Sequence, residues 1–121
     1  WLYWGEVGPD AGKDSLPGPR GYDEINQAKQ AGNFGWPYFV GDNKPYRRLD
    51  FKSGQSGDFY KVDSPFNRSR YNTGHVLLPP SQKALIWYPY DKSDSFPLLG
   101  SGGRTAMAGP VYHYDPSLNR K

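Results

Sequence analysis

At 121 residues with no cysteine, the chain has room for one ordinary domain, and disulfides and thiolate metal sites are excluded. Its net charge of +3, from 15 basic and 12 acidic residues, is too balanced for a nucleic-acid binder that works through one densely cationic face. An apolar content of 36% and a mean hydropathy of -0.86 supply little core, and 15 Gly with 12 Pro argue for an all-β fold with long irregular loops over a helical bundle.

Aromatic residues, 17% of the chain, partly offset the thin core because each buries a large area. No apolar run approaches the ~18 residues of a membrane span. The basic groups Arg47-Arg48, Arg68 and Arg70 read as solvated loop charges. The chain opens without Met and stops on Asn119-Arg120-Lys121, so we expect a piece of a longer protein.

Trp1 to Glu6 is a predicted strand, ended by the Gly8-Pro9 breaker. Asp10 to Gly21 carries too many Gly and Pro residues for regular structure. Asp23 to Gln30 has two readings. Local propensity favours a helix capped by Asp23; the rival is a strand over Glu24 to Gln27 running into a Gly32-Asn33 turn. Gly35 to Val40 reads as a short aromatic strand, placed at an edge by Pro37.

Gly41 to Pro80 is polar and turn-rich, and a structureless loop of that length would be unusual in a compact domain. An insertion or functional loop with a short hairpin of its own is expected there. Ala84 to Tyr88 is the clearest predicted strand, and Val111 to Tyr114 is a second. Asn67-Arg68-Ser69 matches a glycosylation sequon, a signal without weight unless the source is secretory and eukaryotic.

Three motifs in fixed order carry a resemblance. Gly5-Glu6-Val7-Gly8-Pro9-Asp10, then Gly21-Tyr22-Asp23-Glu24-Ile25-Asn26, then Ala31-Gly32-Asn33-Phe34-Gly35-Trp36-Pro37 together resemble the glucose/sorbosone dehydrogenase family. These are soluble sugar dehydrogenases that depend on pyrroloquinoline quinone (PQQ). The likeness continues at Ala84 to Tyr90 and Gly100 to Tyr112 and is weakest over residues 43 to 79.

The resemblance implies a six-bladed β-propeller. A blade takes roughly 40 to 50 residues, so residues 1 to 121 would be a partial domain of about two to three blades, with a variable, insertion-like segment at 43-79. It also favours the strand over the helix from Asp23 to Gln27.

For the chemistry, the resemblance assigns the backbone carbonyls of Gly8 and Pro9 to a calcium ion that holds PQQ. Calcium is a hard ion that accepts carbonyl oxygens, and a Gly-Pro turn presents them closely and stiffly. The plain alternative is a turn that ends a strand. Glu24 and the Phe34 carbonyl match ligands of a second, structural calcium; an exposed Glu24, or one paired with Lys29, is the alternative. Arg104, after Gly102-Gly103, could fork onto a cofactor carboxylate, the alternative being a solvated loop arginine. Asn33 to Pro37 reads as architectural, with Trp36 packing between sheets.

No catalytic residue is assigned. The family's histidine base lies upstream of the Gly-Pro motif, and neither His75 nor His113 matches its place. The expectation is therefore a portion of a quinone- and calcium-dependent sugar dehydrogenase, inactive alone, whose partners are a sugar substrate and the remaining blades. Nucleic acid and a membrane span are not expected, and the location implied is periplasmic or extracellular. A carbohydrate-binding module using Trp36 or Trp87, or a structural module without catalysis, is the alternative.

Overall fold

Residues 1–110, 113 and 115–119 are described by a computed structural model of the chain. Among the described residues, seven short strands form three small antiparallel sheets, and helix is limited to 3-10 turns at Pro97–Leu99 and Pro116–Asn119. The chain is all-β. The predicted strand at Val111 to Tyr114 lies outside the described residues, apart from His113.

The main sheet has the order β1-β2-β7, formed by β1 (Leu2–Glu6), β2 (Asp23–Ala28) and β7 (Ile86–Tyr88). Asp23 onward is thus a strand, against its local helix propensity. Pairing on both sides decides it: β2 is the central strand, with Glu6 opposite Glu24 on one flank and Trp87 opposite Glu24 on the other. Such tertiary pairing outweighs a propensity difference of under ~1 kcal/mol per residue.

Side chains alternate across a strand, and directly opposite residues share a face. One face of the sheet therefore carries Trp4, Glu6, Glu24, Asn26 and Trp87, and the other carries Gly5, Asp23, Ile25, Ile86 and Tyr88. The first face is covered by aromatic rings set edge-on: Phe34 lies 4.8 Å from Trp4, and Phe96 lies 4.8 Å from Trp87. The second is covered by the segment around Ala106. A Cβ on Gly5 would meet the Met107 nitrogen at 2.5 Å, so that segment lies directly on the β1 backbone.

Gly35 to Val40 is strand only over its last two residues, β3 (Phe39–Val40), which pairs with β4 (Lys44–Pro45). Before β3 the chain turns, with the Tyr38 and Phe39 amides both donating to the Gly35 carbonyl. Trp36 does not pack between sheets as expected. It rides on that turn, 52% exposed, edge-on to Tyr46. The expected hairpin in the polar middle is β5 (Arg47–Leu49) against β6 (Ser56–Phe59). Arg47 lies over the Phe59 ring at 4.0 Å, so it is packed, whereas Arg48 is exposed.

The interior contains few apolar side chains. Phe39, Val40, Ala84 and Ala106 are buried, beside the polar or charged Asp23, Glu24, Asn26, Ser81, Ser93 and Arg104. A core this polar is held by hydrogen bonds between segments. Asn43 and Ser81 bond twice, through the Ser81 hydroxyl (2.8 Å) and the Ser81 carbonyl (3.1 Å). The Ala84 amide donates to the Gly41 carbonyl at 2.9 Å, so the start of β7 is tied to the turn after β3.

Candidate functional site

The alternation of β2 puts two adjacent carboxylates to opposite uses. Asp23 faces the Gly8-Pro9 turn and is wholly buried. Its Oδ1 accepts the Gly8 amide at 3.1 Å, and its Oδ2 accepts the Ala106 amide at 2.7 Å. The Arg104 guanidinium lies 3.1 Å from the same Oδ1, with its side chain 2% exposed.

Arg104 also donates to the Pro9 carbonyl at 3.1 Å and lies 4.0 Å from the centre of the Tyr90 ring. The ion pair and the ring face offset the burial of the guanidinium, while Nε and Nη1 make no hydrogen bond among the described residues. Arg104 is therefore neither a solvated loop arginine nor turned outward for a ligand. Two glycines make the approach possible. A Cβ on Gly21 would stand 1.7 Å from the Pro9 oxygen and 2.8 Å from Arg104 Nη2, and one on Gly8 would stand 1.9 Å from the Tyr22 oxygen.

The Pro9 oxygen accepts a second hydrogen bond, from the Ala11 amide at 2.8 Å. A carbonyl oxygen has two lone pairs, and both are in use. As the turn stands, Pro9 does not fit a calcium ligand, and Arg104 does not fit a contact to a cofactor carboxylate.

Glu24 and Asn26 lie on the other face. Glu24 is 4% exposed and Asn26 is fully buried. The Gly41 amide donates to Glu24 Oε1, and Asn26 Nδ2 donates to Oε2 at 3.3 Å. Burial pushes the Glu24 carboxyl up to about 7, the two donors oppose the rise, and the nearby Glu6 and Asp23 carboxylates add to it. The alternatives read for this residue, an exposed carboxylate or a pair with Lys29, do not occur. Lys29 lies over the Trp1 ring instead, at 4.3 Å.

Asn26 Oδ1 is buried without a hydrogen-bond partner among the described residues. An oxygen-only donor set of a buried carboxylate, an orphaned amide oxygen and the adjacent Glu6 carboxylate suits a hard cation. Phe34 enters this neighbourhood through its ring on Trp4. Among the described residues no group of three or more His, Asp or Glu side chains is placed to hold a metal ion. His75 and His113 are both exposed.

Tyr46 lies near both carboxylate networks. Its hydroxyl is buried without a hydrogen-bond partner among the described residues, and burial, with the Glu24 charge next in importance, pushes it up to about 12. Sequence reasoning gave no site role to Asp23, read only as a candidate helix cap, or to Tyr46. For Asp23 the available signal was its neighbour: on a strand, two adjacent acids cannot both face solvent when each face of the sheet is covered.

The chain matches no family model, no curated protein and no solved structure. No helix among the described residues is long and apolar enough to cross a membrane.

Proposed function

We propose that this chain is part of a quinone- and calcium-dependent sugar dehydrogenase, contributing strands of a six-bladed β-propeller, and that it performs no turnover alone. The observation that carries the reading is the convergence of the resembling motifs on one sheet. The Gly8 amide bonds to Asp23, Phe34 packs on Trp4, and the Arg104 guanidinium is ion-paired with Asp23. Segments far apart in sequence thus meet around β2.

The proposed inactivity rests on the resemblance, which puts the histidine base outside these residues. No histidine base is assigned, and the loss of a general base alone costs a factor of roughly a hundred to ten thousand in rate. Glu24, Asn26 and Glu6 are the residues that would hold a structural cation. Pro9 and Arg104 are engaged with each other, so in this reading no residue of the chain is given a contact to PQQ itself. Supplying the chain with PQQ, calcium and aldoses and following dye reduction tests the first point, and clear turnover refutes it. A parent protein that holds this chain together with a histidine base should turn over and lose activity in chelator.

A second reading is a carbohydrate-binding or structural module without catalysis. The mutual bonding of Pro9 and Arg104 favours it, since both groups assigned to the cofactor are then engaged. Sugar binding that ignores PQQ and is lost on Trp36→Ala, the more exposed of the two tryptophans named for it, would select it.

A further inference from the structure

The Gly8-Pro9 turn has a positive charge at its carbonyl, and that charge belongs to the protein. We infer that Arg104 is the resident cation of this turn: paired with Asp23, its guanidinium fills the position at the Pro9 oxygen that a divalent ion would take and keeps such an ion out.

Each member of the ion pair holds one residue of the turn. Asp23 accepts the Gly8 amide at 3.1 Å, and Arg104 donates to the Pro9 carbonyl at 3.1 Å. The third residue is held through the ring that backs the guanidinium: the Tyr90 hydroxyl donates to Asp10 Oδ1 at 2.6 Å. Three consecutive residues of the turn are thereby fixed from one charged centre.

The same geometry excludes a metal ion. With both lone pairs of the Pro9 oxygen in use, a cation would have to displace Arg104 or the Ala11 amide. It would also meet a buried like charge, while Asp23 is already satisfied by two backbone amides and the guanidinium. A guanidinium suits this place better than an ammonium because Nη1 can pair with the carboxylate 3.1 Å away while Nη2 donates to the carbonyl and the group lies over the Tyr90 ring, although Nε and Nη1 make no hydrogen bond among the described residues. Gly21 leaves the needed room, since any Cβ there would strike both the Pro9 oxygen and Arg104.

The inference does not rest on the dehydrogenase reading and narrows it: a calcium that seats PQQ would not be held at the Pro9 oxygen of this chain, whereas the test of that reading is turnover by a parent protein. Its own test is a calcium titration in the Glu24→Gln background, so that a cation at Glu24 is not mistaken for one at the turn. Calorimetry with calcium chloride and tryptophan-sensitised terbium luminescence are the readouts. The Glu24→Gln chain should show no saturable binding and the same melting temperature in calcium and in chelator.

Adding Arg104→Ala frees the Pro9 oxygen and leaves Asp23 unpaired. That double variant should bind calcium at least ~10-fold more tightly than the Arg104-containing chain and regain several degrees of melting temperature on calcium addition. Saturable binding by the Glu24→Gln chain overturns the inference. So does a folded double variant indifferent to calcium. Where the double variant does not fold, the titration of the Glu24→Gln chain decides alone.

Discussion

The carboxylate of Asp23 and the guanidinium of Arg104 meet at 3.1 Å in the interior, between strand β2 and the segment that covers it. Neither group has access to water: Asp23 is 0% exposed and the Arg104 side chain 2%. Removing one partner leaves the other charge buried and unpaired, at a cost of about 3–5 kcal/mol. Asp23→Ala and Arg104→Met should each shift the urea midpoint sharply downward. The double variant should be less damaged than the sum of the two, which a double-mutant cycle measures as a coupling of order 1–3 kcal/mol.

Glu24 predicts a pH dependence in metal-free buffer. Its carboxyl titrates near 4.5 in the unfolded chain and at about 7 when folded. Between those values the folded state keeps a proton that the unfolded state has released, so stability falls as pH rises through this window. Below it the penalty is absent; above it the penalty is complete, on the order of 3 kcal/mol. Glu24→Gln should flatten this part of the stability profile and make the chain more stable at pH 8. If Glu24 holds a cation in the parent, calcium should restore stability above pH 7 in the unmodified chain and not in the variant.

Gly8 and Gly21 should tolerate no side chain. Alanine at either position would put a methyl group less than 2 Å from a backbone oxygen, that of Tyr22 for Gly8 and that of Pro9 for Gly21. Overpacking of this kind costs about 1–3 kcal/mol. Gly103→Ala, a control with nothing within 4 Å of the added carbon, should be much milder. Chemical denaturation of the three variants checks the order.

Tyr46→Phe is expected to be neutral, or stabilising by up to ~1 kcal/mol, because it deletes a buried hydroxyl without a hydrogen-bond partner among the described residues and keeps the ring against Trp36. A loss above ~1 kcal/mol would mean that the hydroxyl makes an interaction of its own.

Local residue patterns foretold the all-β class, β1, the core of β7 and a hairpin within residues 41 to 80. Each of these is set by short-range chemistry: aromatic and branched runs bounded by Gly and Pro. For β2, propensity pointed to a helix, and only the resemblance favoured the strand that its two partners impose. The site was legible in part. Gly8, Pro9 and Arg104 were singled out separately, but nothing in their spacing shows that the arginine reaches back across the fold to the turn. Trp36 was misplaced because its type suggests burial, whereas its position on the turn before β3 leaves it half exposed, edge-on to Tyr46.

The occupancy of the Pro9 oxygen is open to direct measurement. An NMR titration of the unmodified chain with calcium, its carbonyl carbons isotopically labelled, reports each carbonyl separately. A Pro9 resonance that stays fixed while calcium is raised to millimolar levels is the expected result, whatever happens at Glu24. A saturable shift at Pro9, with release of Arg104 from Asp23, would contradict the internal-cation account and return the turn to a metal ion.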